Sequence, residues 1–241
     1  MELIKFKIPK SKFNKLSKEE QVLFVQFGCL HDEIMISQKC FMATIETIKR
    51  CSTEVEKSGQ TIQLLFFAKL LAEKLHGGWE MMQRCYFGSK LSKKFDKLLN
   101  EFTKKDLKEI KTYFNKKKNL ISSIRNAFCS HSGTNEAQAS VKKIGERAYF
   151  YINKKSGNCL FQIGDDLINA EMLSLTGASD LSGAIDKLFD DLSKLTNHFS
   201  NFTAECLYQI SEKMDIKYKD IEIQNVSKKS ELNIPYFIEP D

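Results

Sequence analysis

The stretch Asp180–Cys206, DLSGAIDKLFDDLSKLTNHFSNFTAEC, decides the fold class. Leu181, Ile185, Leu188, Leu192, Leu195, Phe199, Phe202 and Cys206 follow one another at alternating steps of four and three over more than three heptads, the spacing that returns side chains to one face of an α-helix. Asp180 stands where a helix of this register needs an N-cap. A seam this strict belongs to a helical bundle or to a helix paired with a second copy.

The rest of the chain supplies partners for that helix. Ser17-Lys-Glu-Glu20 has the form of a capping box and opens a helix through Val22, Leu23, Phe27, Leu30, Ile34, Phe41, Ile45 and Ile48. A second helix is predicted from about Thr61 to Tyr86, dense in Leu64, Leu65, Phe67, Leu71, Leu75, Trp79 and Met82 and closing near Gly88. A third begins at Thr103-Lys-Lys-Asp106 and carries the seam Leu107, Ile110, Phe114, Ile121, Ile124 and Phe128, with Gly133 as its C-terminal stop. All three prolines, Pro9, Pro235 and Pro240, lie near the ends and leave the middle open to long helices. Only residues 147–164 break the helical period: AYFYINKKSGNCLF places aromatic and β-branched residues on both sides of a turn, which predicts a two-stranded hairpin. The expected architecture is a mainly α helical bundle, one domain over residues 1–212 with that hairpin inserted, followed by a polar tail over 213–241.

Composition agrees with a folded chain. The 42% of hydrophobic residues suffice for a substantial core in 241 residues. The best apolar run, IQLLFFAKLLAEKL, is interrupted by Lys69 and Glu73, so no membrane span is expected. An odd count of seven cysteines and an N-terminus without a secretory apolar run point to reduced thiols and a cytoplasmic protein. Cys29, Cys40 and Cys51 recur every eleven residues, close to one helix face, and are expected as buried structural thiols; CxxC is absent.

The net charge of +6 is concentrated. Lys90 to Leu120 holds eleven lysines against Asp96, Glu101, Asp106 and Glu109, which leaves the remainder close to neutral. Such a run reads as a solvated helix face or as the footprint of a polyanion, and Lys111, Lys116, Lys117 and Lys118 are its candidate RNA contacts. Directly after it comes SSIRNAFCSHSGT, residues 122–134. His131 continues the seam of Ile124 and faces inward, as a core histidine or a site residue, while Arg125 lies one position off it. On one ideal helix the two are roughly 120° apart, so convergence needs a loosened helix at 130–133 or a second copy across a two-fold axis.

Arg125 and His131 with five residues between them, the first of them Asn126, in a helical setting, resemble the motif of HEPN-domain proteins, an Arg with a polar neighbour followed after four to six residues by His. The likeness extends over about 17–212. It implies a helical bundle that dimerises through its motif helices and often acts as a metal-independent endoribonuclease in toxin–antitoxin systems or antiphage defence. On this reading Arg125, Asn126 and His131 are catalytic, with Glu80 auxiliary and with His76 and Glu73 on the same helix. The partners are RNA, a second copy, and a cognate antitoxin or nucleotidyltransferase. The residue types suit the reaction: cutting RNA needs a proton carrier and a cation for the charge that grows on phosphorus. Histidine titrates near neutrality, and arginine grips phosphate with two hydrogen bonds. GxGxxG, GxxxxGK[ST], GxSxG and HExxH do not occur, and no cofactor or metal is expected. The alternative is a non-catalytic HEPN-like scaffold that binds a protein partner or RNA.

Overall fold

The computed structural model describes residues 2–129, 173–174, 176–215 and 221–225. Its described part is a mainly helical bundle. A strand β1 (Glu2–Phe6) and a short helix α1 (Lys10–Phe13) lead into α2 (Lys18–Ile48), α3 (Glu54–Cys85), α4 (Lys90–Phe95), α5 (Glu101–Phe114), α6 (Leu120–Cys129) and α7 (Leu181–Glu212); β2 (Ile221–Asn225) follows.

Helix α2 starts where its sequence predicts. The Ser17 Oγ accepts from the Glu20 amide at 3.2 Å and the Glu20 carboxylate accepts from the Ser17 amide at 3.0 Å, so two amides with no helical partner are satisfied reciprocally. Leu23, Phe27, Leu30, Ile34 and Phe41 then bury one stripe, whereas Val22, expected on it, is 51% exposed. Helix α3 begins seven residues before the expected Thr61, because Thr53 and Glu56 form a second capping box that the thin apolar content of its first two turns had hidden.

The third expected helix is two. Asn100, not Thr103, caps α5, and its side chain accepts from the Thr103 amide at 2.9 Å. The chain then turns through Asn115–Asn119, and Asn119 caps α6 by accepting from the Ser122 amide at 2.8 Å. The seven-residue step from Phe114 to Ile121 looked like a continuous seam because both sides of the break return to the same core. Asp106 is no cap either. Its carboxylate accepts from His198 Nδ1 at 2.7 Å and from Asn201 at 3.0 Å, joining α5 to α7.

Helix α7 settles the seam: Leu188, Leu192, Leu195, Phe199, Phe202, Cys206 and Ile210 are buried inside the chain. Asp180 caps it, accepting from the Gly183 amide at 2.9 Å. Phe27 and Tyr86 meet Phe202, and Trp79 stacks on Phe114 at 5.3 Å. The seam therefore needs no second copy. Cys29 is exposed and Cys40 and Cys51 are partly exposed, against the expectation of buried thiols: the first two lie on α2 outside its buried stripe, and Cys51 lies beyond the end of that helix.

Part of the expected polar tail is structured. Lys213 reaches Glu20, Met214 is buried, and β2 pairs antiparallel with β1 in the register Ile4↔Ile223. Each strand is five residues long, and the partners lie at opposite ends of the sequence, so neither stands out locally. The expected hairpin at 147–164 lies outside the described residues. No described helix is long and apolar enough to cross a membrane.

Helix α3 packs closely against α2 and α7 at Gly78. A Cβ there would stand 2.9 Å from Leu30 Cδ2 and 3.1 Å from Phe199 Cε1, while one at neighbouring Gly77 would meet nothing within 4 Å. Gly78→Val is expected to lower stability by about 1–3 kcal/mol through overpacking. Gly77→Ala should raise it by up to about 1 kcal/mol through helix propensity, and urea denaturation of the two variants checks the contrast.

Candidate functional site

The site is assembled by the turn between α5 and α6. The Tyr113 hydroxyl donates to Asp191 of α7 at 2.7 Å and accepts from the Ile121 amide at 3.3 Å, so one side chain ties the first turn of α6 to the bundle. Burial, followed by the bond to Asp191, pushes its phenol well above the usual tyrosine range, which keeps it a donor at every ordinary pH. Ile121 and Ile124 are buried, and α6 lies along α3. Arg125 follows on the rim, half-buried.

Arg125 lines a groove of about 600 Å³ between α2 and α3. Gln26, Cys29 and Glu33 of α2 and Glu73, Lys74, Gly77 and Glu80 of α3 share it. Gly77 leaves the α3 backbone bare at the wall. Glu73, Gly77 and Glu80 sit at i, i+4 and i+7, one helical face, and Lys74 crosses to Glu33 at 3.1 Å. The arrangement puts a guanidinium that can hold an oxyanion beside carboxylates that can accept from amines or hydroxyls.

Of the residues singled out by the sequence, the structure brings Arg125, Glu80 and Glu73 to one groove. His76 lies behind it, 13% exposed, its Nδ1 3.7 Å from Glu80 and its ring edge-on to Phe114. Burial lowers its pKa below the ordinary histidine value; Glu80 pulls it back up and the Arg125 guanidinium pushes it down. Asn126 follows Arg125 in α6, but its side chain and the whole of His131 lie outside the described residues.

The four candidate RNA lysines do not line this groove. Lys111 Nζ sits 4.6 Å over the Phe87 ring and Lys116 Nζ 5.5 Å over Tyr113, while Lys117 and Lys118 are exposed in the α5–α6 turn. Sequence reasoning missed Glu33, Lys74, Gln26 and Gly77. The spacing of Glu73, Gly77 and Glu80 was a usable signal; the approach of α2 was not. Among the described residues no group of three or more His, Cys, Asp or Glu is placed to hold a metal ion.

Because the folded His76 takes up a proton less readily than the unfolded one, protonation favours unfolding. Its contribution to stability is complete above the ordinary histidine value of 6.5 and is lost as the pH falls below it. Replacing it, as in His76→Phe, should flatten the wild-type decline in melting temperature between about pH 7 and 5.

No protein-family model, curated protein or solved structure matches the chain.

Proposed function

We propose that the chain is a metal-independent endoribonuclease of HEPN type, acting as a homodimer in toxin–antitoxin or antiphage defence. One observation carries this reading: Arg125, the first residue of the Arg-Asn…His motif, lines an open groove and not the core. Arg125 offsets the charge developing on phosphorus, His131 moves the proton between the 2′-hydroxyl and the leaving 5′-oxygen, and Asn126 orients the phosphate. Glu80 is a positioning residue between His76 and the groove. With the α7 seam buried within one chain, the dimer rests on the angular separation of Arg125 and His131 alone.

The alternative, a non-catalytic scaffold for a protein partner such as a nucleotidyltransferase, draws on a different observation. Glu33, Glu73 and Glu80 outnumber Arg125 and Lys74 in the groove, a balance that suits a cationic side chain of a partner better than a phosphate.

His131→Ala and Arg125→Ala are each expected to slow cleavage of single-stranded RNA by about a hundredfold to ten-thousandfold without changing the melting temperature. EDTA should leave the rate unchanged, and the 5′ product should end in a 2′,3′-cyclic phosphate, read by mass spectrometry. A wild-type dimer that cuts no RNA, together with a His131→Ala variant that unfolds, establishes the scaffold instead.

A further inference from the structure

Beside the Arg125 groove lies a second, of about 940 Å³, between the N-terminal end of α2 and α4. Gln26 lines both, so the two grooves abut along one face of α2. The second groove is cationic: Lys15, Lys18, Lys90 and Lys94 line it against Glu19 and Glu20. Glu20 is already committed, accepting from Lys94 at 3.2 Å and from Lys213. That leaves Lys15, Lys18 and Lys90, all exposed, facing Glu19 alone.

Two details do not follow from folding. Lys18 occupies the first turn of a 31-residue helix, where the macrodipole disfavours a cation. Gln26 lines the junction of the grooves, and its Oε1 is shielded from solvent with no hydrogen-bond partner among the described residues, so nothing described holds this side chain back from turning into the trough to meet a donor.

We propose that the two grooves form one trough for a single-stranded RNA, with phosphates on Lys15, Lys18 and Lys90, a ribose or base donor on Gln26, and the cleaved linkage at Arg125. The proposal deepens the ribonuclease reading and rests on it. From Lys18 to Cys29 the helix rises ~16 Å, room for a short run of nucleotides. The charge order fits such a ligand: lysines take backbone phosphates at one end, and beyond Gln26 the carboxylates of Glu33, Glu73 and Glu80 accept from the amino groups of bases. The RNA contacts thereby move from Lys116–Lys118 to the trough.

The test is fluorescence anisotropy with a labelled single-stranded 2′-O-methyl RNA, which lacks the 2′-hydroxyl nucleophile and so reports binding without cleavage. The variant Lys15→Gln/Lys18→Gln/Lys90→Gln, at exposed positions, should keep its melting temperature. It should bind at least about tenfold more weakly near 0.1 M salt, with the slope of log K against log salt reduced by about two. Lys116→Gln/Lys117→Gln/Lys118→Gln should bind within about twofold of wild type. Gln26→Leu should weaken binding while holding or raising the melting temperature, since it removes an unpaired buried oxygen. The trough is overturned if wild type does not bind, if the first triple variant binds as wild type does, or if the loss falls on the second triple instead. Wild type that binds through the trough but cuts no ordinary RNA removes the ribonuclease reading and leaves the trough. Wild type that cuts, with a first triple variant that binds and cuts equally well, does the reverse.

Discussion

Burial of the α7 seam constrains everything else. A 32-residue helix with an apolar stripe along its whole length needs cover along its whole length, and no single neighbour provides it. Helix α2 covers one flank and α5 another, with α3 wedged against both α2 and α7. Gly78 lets α3 come close enough for Leu30 and Phe199 to fill the space where its side chain would be. The aromatic contacts of Phe27, Tyr86, Phe114 and Phe202 follow from that approach.

Apolar burial is non-directional, and polar ties choose the register. Along α7, Asp191 receives Tyr113, Asn201 and His198 hold Asp106, and Glu205 accepts from Asn100, so α5 runs antiparallel to α7 with three fixed points. His31 of α2 meets Thr203 of α7, and Glu20 closes the end of the bundle with Lys94 and Lys213. Glu20 is held below the usual glutamate range by these two lysines and the Ser17 amide, although burial alone would raise it. Tyr113 extends this frame outward. By bonding both α7 and the first turn of α6, it transmits the bundle's geometry to Arg125.

The face of α2 turned away from α7 has a charge order that the core does not require. Lysines gather at its N-terminal end, and carboxylates surround Arg125 further along. A phosphate near Arg125 meets both attraction and repulsion, which favours a ligand whose anionic and donor groups alternate over a uniform polyanion. Lys111 and Lys116, by contrast, spend their charge over Phe87 and Tyr113, so density of lysine in the sequence does not by itself mark a binding face.

Local signals alone determined much of this protein. The heptad steps of α7, its Asp180 cap and the Ser17–Glu20 box act within a few residues, and each reappears as an element or a cap. Glu80 and Glu73 were legible as residues of the second helix, and Arg125 as a residue off the apolar seam. Tertiary structure decided the rest, because it depends on what lies opposite. The break at 115–119 was concealed by two helices burying the same core, and the role of Asp106 required His198 of α7. The pairing of β1 with β2 joins segments more than two hundred residues apart, and the Arg125 groove exists only because α2 and α6 flank α3. Periodicity reports which face of a helix is apolar; only packing determines which partner that face meets, and so which polar side chains are left together at the rim.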